Sequence, residues 1–427
     1  MLDRKHVVEN AAAVKQNCLH RGADADVDRL VELETERREK QQLSEQLNRQ
    51  ANEVSKSIGA AKDNDEREAR KAEGRRLREE KDKVAAEAAA LDQQIVEILK
   101  LIPNLSHPDA PIGVDDKANL EICRGEHEPP TFDFEPLDHV DLAERLDLAD
   151  FEGGSRVTGH GFYFLRNYGV LLELALQRYA LDVLQKEDFI LTTTPDLARD
   201  EIIEGIGFIP RGPETQIYSI ENSALSLIAT AEITLGGLFS GQTLSSDDLP
   251  IRMCGISHCY RTEAGAHGRA TRGLYRVHQF TKVEMFAFTE PDQSDATLEY
   301  LRGLEQRIFD GLGLPYRVVD TATGDLGGPA YRKYDLEAWM PGRGDGGEWG
   351  EVTSTSNCTD YQARRLNIRY KRKDVKGTRF VHTLNGTAIA MSRAIIAILE
   401  NYQRADGSVD VPEVLQSWVG TDRLVPK

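Results

Sequence analysis

The chain has 427 residues and a formal net charge of −18, which is enough length for two or three domains with a large core. The acidic total excludes a protein that is basic as a whole, as many nucleic-acid binders are, but it leaves local basic surfaces open. The first residues lack the apolar segment of a secretory signal, and no apolar run approaches the roughly 18 residues that span a bilayer. We therefore expect a soluble, cytoplasmic protein without a membrane partner.

Cysteine usage supports the same compartment. The five cysteines are odd in number and scattered, which favours reduced thiols in a cytosol over a disulfide framework: Cys18, Cys123, Cys254, Cys259 and Cys358. Cys254, His258 and Cys259 lie close together, but their spacing fits no common zinc pattern. We expect no zinc site.

Two segments with heptad spacing follow one another in the first hundred residues. The second segment has a seam with intervals of four and three, broken by one lysine: Leu77, Lys81, Val84, Ala88, Leu91, Ile95, Ile98 and Ile102. The first segment repeats this spacing at Leu47, Ala51, Val54 and Ile58, with Leu30 and Leu33 in register further back and Leu43 one residue off the seam. Turn residues at 59–65 join the segments.

This pattern predicts an antiparallel two-helix coiled coil over about 28–102, with arms of roughly 45 Å. Pro103 and Pro108 end the second helix and mark a linker. We therefore assign 1–103 to an N-terminal domain and 104–427 to a second domain.

A basic cluster lies near the tip of the predicted hairpin. It comprises six side chains within twelve residues: Arg67, Arg70, Lys71, Arg75, Arg76 and Arg78. Segment 28–102 holds 18 acidic and 16 basic residues, so most of the negative charge lies elsewhere. The cluster fits either the solvated face of a coiled coil or a local nucleic-acid contact.

From Gly159 onward, strand-like runs alternate with helical stretches. The runs at 189–192 and 280–288 read as strands, and those at 171–184 and 388–402 read as helices. Their order predicts an α+β domain, in which helices flank a mainly antiparallel sheet. Segment 342–347 reads as a flexible loop.

The most informative segment for function is 260–284. It reads as a strand, a loop rich in Gly and Arg, and a returning strand. An arginine fixed at a strand can hold a phosphate with its rigid guanidinium, and Phe280 on the returning strand can stack on a base. The chain has neither a Walker-type phosphate loop nor a dinucleotide fingerprint, so any ATP must be held in another way.

This segment closely resembles motif 2 of class II aminoacyl-tRNA synthetases in its seryl form. The matching letters are an aromatic followed by R-x-E-A-G, then T-R-G-L, then H-Q-F-x-K-V-E, which here occupy 260–265, 271–274 and 278–284. The resemblance implies that Arg261 holds the α-phosphate of ATP, Glu263 contacts adenine, Phe280 stacks on adenine and Glu284 holds the serine ammonium. It also implies that Thr262 and Val277 line the ATP site and that Arg272 contacts tRNA.

Two further segments resemble the other class II motifs. Pro195 stands where motif 1 has the proline at its dimer-interface strand, although a proline at a strand end also has an ordinary structural explanation. Segment 385–403 resembles motif 3 and is predicted as a helix that opens at Asn385. The resemblance implies that Arg393 grips the γ-phosphate and that Asn385 and Thr387 lie near the serine side chain.

Two shorter matches complete the seryl pattern. Thr230, Ala231 and Glu232 match the T-A-E of the serine pocket. Segment 351–365 matches E-V-S-S-x-S-N-C-x-D-aromatic-Q-A-R-R, with Thr353 for the usual Ser and Thr355 where Cys is frequent. The resemblance places Val352 and Thr353 in the ATP site and Mg²⁺ at Glu351 and Ser354, whose oxygens suit that ion.

The resemblance implies a dimeric serine–tRNA ligase with Arg261, Arg393 and Glu284 as its catalytic residues. The substrates implied are ATP, L-serine and tRNA(Ser), which the hairpin and its basic cluster would bind; whether tRNA(Sec) is also charged depends on the host. No DNA partner is expected.

Three alternatives are a threonyl or prolyl synthetase, an enzyme that loads amino acids onto carrier proteins, and a non-catalytic relative. The 24 residues after Gln403 are too few for the anticodon-binding domain of the first. Carrier-loading enzymes lack the long N-terminal arm, and a non-catalytic relative should have lost Arg261 or Glu284.

Overall fold

A computed structural model describes residues 1–209, 215–263 and 273–426. The chain divides into two compact units, Met1–Leu105 and Ser106–Lys427. Within the described ranges, no helix has both the length and the apolar character that crossing a membrane requires.

The first unit is helical. Its α-helices are α1 (Arg4–Glu9), α2 (Ala11–His20), α3 (Val27–Ser57) and α4 (Asn64–Leu101), and a short 3₁₀ helix spans Ile58–Ala60. Aspartates cap α1, α3 and α4, because the carboxylates of Asp3, Asp26 and Asp63 each accept a backbone N–H three residues further on. These caps fix where each helix begins.

Helices α3 and α4 form the predicted antiparallel hairpin. Lys40 Nζ lies 2.6 Å from Glu87 Oε2 near the base, and Arg78 Nη2 donates to Ser55 Oγ at 2.8 Å nearer the tip. Residue numbers therefore rise along one helix as they fall along the other. The two-helix arm expected from the heptads is confirmed.

The seam is only partly buried, since Val54, Ile58, Ala88 and Leu91 are half-buried. Leu47, Leu77 and Val84 are buried, whereas Leu43, one residue off the seam, is 40% exposed. Near the C-terminal end of α4, Leu99 is buried in place of the predicted Ile98. An α-helix has slightly more than 3.5 residues per turn, so the buried stripe of a long helix drifts around its surface.

The second unit is built on strands, which in chain order are β1 (Leu120–Arg124), β2 (Ala149–Asp150), β3 (Phe164–Leu165), β4 (Ile190–Thr193), β5 (Leu197–Arg199), β6 (Leu225–Leu227), β7 (Thr243–Ser245), β8 (Ile251–Tyr260), β9 (Gln279–Thr289), β10 (Tyr316–Asp320), β11 (Arg332–Met340), β12 (Glu348–Asn357), β13 (Arg369–Lys371), β14 (Arg379–Phe380), β15 (His382–Ala390), β16 (Val409–Asp410) and β17 (Arg423–Leu424). Eight of these strands form the main sheet in the order β1-β10-β11-β12-β15-β9-β8-β4. Neighbours in it are antiparallel except β4 and β8, which are parallel. The predicted mainly antiparallel sheet is confirmed.

The helices of this unit are α5 (His139–Arg145), α6 (Phe151–Thr158), α7 (Tyr168–Lys186), α8 (Asp200–Ile206), α9 (Ala231–Gly237), α10 (Ser294–Gly311), α11 (Tyr361–Leu366), α12 (Met391–Asn401) and α13 (Glu413–Val419). Short 3₁₀ helices span Asp116–Ala118, Ser246–Asp248, Pro291–Gln293 and Thr323–Asp325. The segment expected as a loop at 342–347 is the connection of the hairpin formed by β11 and β12.

Strand β9 separates two hydrophobic clusters, because its side chains alternate between the faces of the sheet. Met285 and Ala287 belong to the larger cluster, which includes residues of α7, α10 and α12. Phe286 and Phe288 belong to the second cluster, with residues of α8 and α9. Phe280, Lys282 and Glu284 have the same parity as these two phenylalanines, so this second face carries the candidate site.

The prediction that a helix opens at Asn385 is wrong. Residues 382–390 form β15, whose residues pair with β9 up to Ala390, and α12 begins at Met391. Sheet pairing outweighs the local helical pattern because Thr387 and Ile389 are β-branched and buried between neighbouring strands. Arg393 consequently lies in the first turn of α12, where the chain leaves the sheet.

Candidate active site

A cavity opens on the face of the sheet that carries Phe280, Lys282 and Glu284. Fourteen of the residues predicted from the motifs line it: Thr230, Glu232, Arg261, Glu263, Val277, Phe280, Glu284, Glu351, Val352, Thr353, Ser354, Asn385, Thr387 and Arg393. These residues come from sequence segments up to 163 positions apart, and the sheet brings them to one site.

Three other predicted residues have different positions. Thr262 follows Arg261, but its hydroxyl donates to the Thr215 carbonyl at 2.6 Å instead of lining the cavity. Ala231 is fully buried as the first residue of α9. Arg272 lies outside the described residues, as do residues 264–271.

Arg261 directly follows the C-terminal end of β8, and Phe280 lies near the N-terminal end of β9. These two strand ends adjoin, so both residues lie in the same part of the site. The Arg261 backbone N–H donates to the His278 carbonyl at 2.9 Å, and its guanidinium lies 5.3 Å from the centre of the Phe280 ring. Glu263 has a φ of 50°, a left-handed conformation that turns the chain away from the sheet. Its carboxylate pairs with Arg276 Nη1 at 3.2 Å.

One end of the cavity is built around Glu232. The Glu232 carboxylate accepts hydrogen bonds from Gln362 Nε2 at 2.8 Å and from Asn385 Nδ2 at 3.0 Å. Part of the residue opens onto the cavity, although the carboxylate lies deep among protein atoms. Burial, together with the charge of Glu284, raises the pKa of Glu232 to about 7.

Beside it lies a buried group of three side chains. Lys282 Nζ pairs with Glu284 Oε2, and both side chains are almost fully buried. Thr387 Oγ1 accepts from Lys282 Nζ at 3.4 Å and donates to Glu284 Oε2 at 3.2 Å. This end therefore offers a carboxylate and a hydroxyl to a small polar ligand.

The other end of the cavity combines a carboxylate with arginine. Arg393 Nη1 donates to the Glu351 carbonyl at 2.9 Å and lies 3.3 Å from the Glu351 carboxylate. Burial alone would raise the pKa of Glu351, but the positive charges of Arg393, Lys333 and Arg261 together lower it. Glu351 is therefore a carboxylate at neutral pH.

Strand β12 aligns the residues that follow Glu351. Val352, Thr353 and Ser354 line the cavity. Behind the strand, the buried carboxyl group of Glu305 on α10 accepts hydrogen bonds from the hydroxyls of Thr353 and Thr355. Burial raises the pKa of Glu305 well above its usual value. The threonines that depart from the usual Ser and Cys are thus hydrogen-bond donors to one buried acid.

Several cavity residues carried no role in the sequence-based prediction. Lys282 lies within the H-Q-F-x-K-V-E match, and Tyr275 and Arg276 lie between the T-R-G-L match and that segment. Their positions within motif 2 could therefore have indicated that they line the site. Gln362 contacts Glu232 from a helix 130 positions away, and no local pattern indicates that contact.

The basic cluster lies on α4 in the first unit. Arg67 and Arg75 are exposed, and their charges act on Glu68. Arg70, Lys71 and Arg76 pair with Glu66, Glu68 and Glu73, each within one turn of the helix. Arg78 donates to Ser55 across the hairpin. Arg67, Lys71, Arg75 and Arg78 are spaced so that they share one face of the helix.

Cys254, His258 and Cys259, which are close in sequence, do not form a common metal site. Cys254 and Cys259 are buried, while His258 is exposed and its Nδ1 lies 2.8 Å from Asp196 Oδ2. Over the described ranges, no group of three or more His, Cys, Asp or Glu side chains is arranged to hold a metal ion.

Arg393 lies at one end of a strand-built cavity, Arg261 lies beside an aromatic ring within reach of both ends, and each end carries a carboxylate. These groups suit the binding of an anionic nucleotide next to a small zwitterion. On a mainly antiparallel sheet, with Arg261 after one strand and Arg393 at the start of a following helix, this arrangement is that of a class II aminoacyl-tRNA synthetase. Comparison with known proteins extends the assignment. The family model for the tRNA synthetase class II core domain (G, H, P, S and T) matches residues 217–402, and that for the seryl-tRNA synthetase N-terminal domain matches residues 1–106.

Relatives along the full length are serine–tRNA ligases. That of Rhodopirellula baltica is 63% identical over 99% of each chain, and that of Treponema denticola is 54% identical over 99% of this chain and 100% of its own. The crystal structure of seryl-tRNA synthetase from Pyrococcus horikoshii complexed with ATP superposes with a TM-score of 0.94 at 38% identity, covering all of both chains. The chain belongs to the seryl-tRNA synthetase family.

Proposed function

We propose that the chain activates L-serine with ATP, forming seryl-adenylate and pyrophosphate, and then transfers the seryl group to the 3′ end of tRNA(Ser). The observation that carries this proposal is the cavity, which has a carboxylate and hydroxyl end, an Arg393 end, and Arg261 within electrostatic reach of both. The charge of Arg261 acts on Glu232 at one end and on Glu351 at the other. A substrate pair that bridges these ends would react beside Arg261.

In the first step, a carboxylate oxygen of serine attacks the α-phosphorus of ATP. A bond forms between that oxygen and phosphorus, the bond from phosphorus to the bridging oxygen breaks, and pyrophosphate leaves. Arg261 would stabilise the charge on the α-phosphate, and Arg393 the charge on the γ-phosphate of the departing group. The side chains act by position and charge, since the reaction needs no protein nucleophile.

In the second step, a 3′-terminal hydroxyl of tRNA attacks the serine carbonyl carbon, and AMP leaves. The mixed anhydride supplies the energy, and the chain must hold the two reactants together. The basic cluster on α4 is proposed to bind tRNA, because Arg67 and Arg75 are exposed and lie on one helix face with Lys71 and Arg78.

Serine selection would rest on the polar end of the cavity. Glu284 suits the ammonium group, and the Glu232, Asn385 and Thr387 side chains offer hydrogen bonds to a hydroxyl. Alanine has no hydroxyl to complete the hydrogen bonding of these buried polar groups, which costs more than a lost methyl contact. Threonine would have to be excluded by the shape of the cavity.

Glu351 and Ser354 fit the Mg²⁺ that ATP carries. Both line the cavity, and the positive charges around Glu351 lower its pKa, so a carboxylate and a hydroxyl oxygen are available there. When bound, Mg²⁺ would offset negative charge on the phosphates.

The chain is also proposed to act as a homodimer. Helix α7 packs against β4, and these two elements carry apolar side chains that are 38–54% exposed: Tyr168, Val170, Leu171, Leu174, Ile190 and Leu191. Pro195 follows β4 at the predicted motif 1 position. An apolar surface of this kind is typical of a protein–protein contact.

Five free thiols favour a reducing compartment, which supports the cytoplasm as the place of action.

The test of the catalytic proposal is ATP–pyrophosphate exchange with each of the twenty amino acids. Serine should stimulate exchange, and Arg261→Ala should lower the rate by orders of magnitude because it removes charge stabilisation at the α-phosphate. Exchange stimulated by threonine or alanine in place of serine would contradict the assignment.

Deletion of residues 30–100 tests the role of the hairpin. Serine-dependent exchange should persist, because the cavity residues all lie in the second unit. Transfer of serine to tRNA should be lost. If transfer survives, the hairpin does not bind the tRNA.

A further inference from the structure

We propose that Tyr275 and Arg343 are positioning residues that hold the Arg393 guanidinium in place for the terminal phosphate of ATP. The inference rests on the proposed function, because it assigns Arg393 to that phosphate. It concerns two residues for which neither the motif resemblance nor the cavity chemistry discussed above supplies a role.

Two guanidinium groups lie over the Tyr275 ring. The Arg343 guanidinium carbon lies 4.0 Å from the centre of the Tyr275 ring, and that of Arg393 lies 4.8 Å from the same centre. Both distances are well inside the roughly 6 Å over which a cation is attracted to an aromatic ring. Tyr275 and Arg393 line the cavity, whereas Arg343 does not.

Tyr275 is held at its hydroxyl as well as at its ring. Its Oη donates to the Glu351 carbonyl oxygen at 3.4 Å, the same oxygen that accepts from Arg393 Nη1 at 2.9 Å. The ring and the guanidinium thus share one backbone acceptor. A shift of Tyr275 would move Arg393 relative to Glu351, and with it the charge at the phosphate end of the cavity.

Arg343 packs against the Tyr275 ring and is itself held on the hairpin of β11 and β12. Its Nε lies 3.5 Å from Glu348 Oε2, and its Nη1 is buried with no hydrogen-bond partner among the described residues. A buried donor left without a partner is costly, so a compensating contact is expected, and the Tyr275 ring provides one. Gly350 makes room for this arrangement, since a Cβ there would stand 2.7 Å from Arg343 Nη1.

The contacts with Glu351 alone leave the Arg393 guanidinium free to rotate, so a further support is needed. Glu351 holds Arg393 from one side, and the net effect of its neighbours is to raise the pKa of Arg393 in spite of burial. A guanidinium held by a single carboxylate and carbonyl can rotate about its long side chain. The Tyr275 ring limits that rotation, and Arg343 fixes the ring, so Arg393 meets the phosphate without first being ordered.

The experiment compares the dissociation constants of ATP and AMP by calorimetry in the full chain, with Mg²⁺ present. Tyr275→Leu removes the ring and should weaken ATP binding about tenfold, the loss of one buried cation–π contact. AMP binding should stay unchanged because AMP lacks the γ-phosphate. Tyr275→Phe keeps the ring and should retain near-normal ATP binding. Arg343→Met should weaken ATP binding in the same direction, with no change for AMP.

Tyr334→Leu is the matched control. Tyr334 also lies between two arginines, with Arg302 and Arg332 at 5.3 and 5.1 Å from its ring, but it does not line the cavity. The ratio of the ATP and AMP dissociation constants should stay at the wild-type value in this variant.

The inference is overturned if Tyr275→Leu changes the ATP and AMP constants by the same factor, if it changes neither, or if Tyr275→Phe behaves like Tyr275→Leu. Because these measurements use nucleotides alone, they remain valid if exchange proves to depend on another amino acid. Serine-dependent exchange by the wild-type chain tests the proposed function separately.

Discussion

Replacing Lys282 with methionine should lower the free energy of unfolding of the second unit by about 3–5 kcal/mol, since it leaves a buried carboxylate without its partner. Lys282 and Glu284 are 5% and 1% exposed. Methionine keeps most of the side-chain length but removes the ammonium group. Glu284 then retains the Thr387 hydroxyl at 3.2 Å, a contact that offsets only a small part of the loss.

The magnitude depends on the asymmetry of buried pairs. Removing one charge leaves the other desolvated, whereas removing both is close to neutral. The double variant Lys282→Met with Glu284→Gln should therefore regain most of the stability that the single variant loses. A matched control in the same unit is Lys373→Met. Lys373 pairs with Asp247, but both side chains are more than half exposed, so little change is expected.

Urea unfolding followed by tryptophan fluorescence suits the measurement, because Trp339, Trp349 and Trp418 all lie in the second unit. The free energy is compared for the wild-type chain, the single variant and the double variant. The reasoning fails if Lys282→Met costs less than about 1 kcal/mol, or if the double variant is no more stable than the single one.

Three further predictions follow from burial and charge. The pKa of Glu232 is raised to about 7, so the folded state holds this proton more tightly than the unfolded state does. The stability that results is complete below the unfolded-state pKa and is lost as pH rises. Between about pH 5 and 7, the free energy of unfolding of the wild-type chain, measured in urea and compared with that of Glu232→Gln, should fall by about 1.4 kcal/mol per pH unit. Leu77→Ala on the seam should destabilise the hairpin by about 2–5 kcal/mol, measured by hydrogen exchange, whereas Leu43→Ala off the seam should change little; equal effects would contradict the seam assignment. Arg67→Glu combined with Arg75→Glu should raise the KM for tRNA and leave serine-dependent exchange unchanged; an unaltered KM would remove the cluster from the tRNA site.

The hairpin was predictable from sequence because its stability comes from a local repeat. The heptad spacing placed Leu47 and Leu77 inside and Leu43 outside, and their burial agrees. The shift from Ile98 to Leu99 was not predictable from a strict repeat, because it depends on how the helix packs near its end.

The catalytic unit was predictable where a motif fixes both residue and role. Motif resemblance located Arg261, Glu284 and Arg393, and the structure places all three at one cavity. The strand at 382–390 was missed because its partner, β9, lies about a hundred residues earlier. A local pattern contains no information about that pairing, so the apolar run alone predicts a helix.

Residues that act through others are the hardest to find in a single sequence. Arg343 lies in a glycine-rich connection that reads as an ordinary flexible loop. Its proximity to Tyr275 arises because the hairpin of β11 and β12 returns Gly350 and Glu351 beside the phosphate end of the cavity. Chemistry near a motif is thus visible in sequence, but the support behind it depends on tertiary structure.

The acidic net charge is compatible with tRNA binding because of how the hairpin charges are paired. Lys71 and Arg76 each face a glutamate one turn away, and such largely exposed pairs are weak. If the cluster binds tRNA as proposed, a phosphate can replace the glutamate at little cost, and we expect these glutamates to reduce indiscriminate binding of nucleic acid. A cluster of unpaired cations would bind tRNA more strongly but would also bind any other RNA. The mixed charge on α4 thus favours a partner whose phosphates match the spacing of its arginines, which is what discrimination between tRNAs requires.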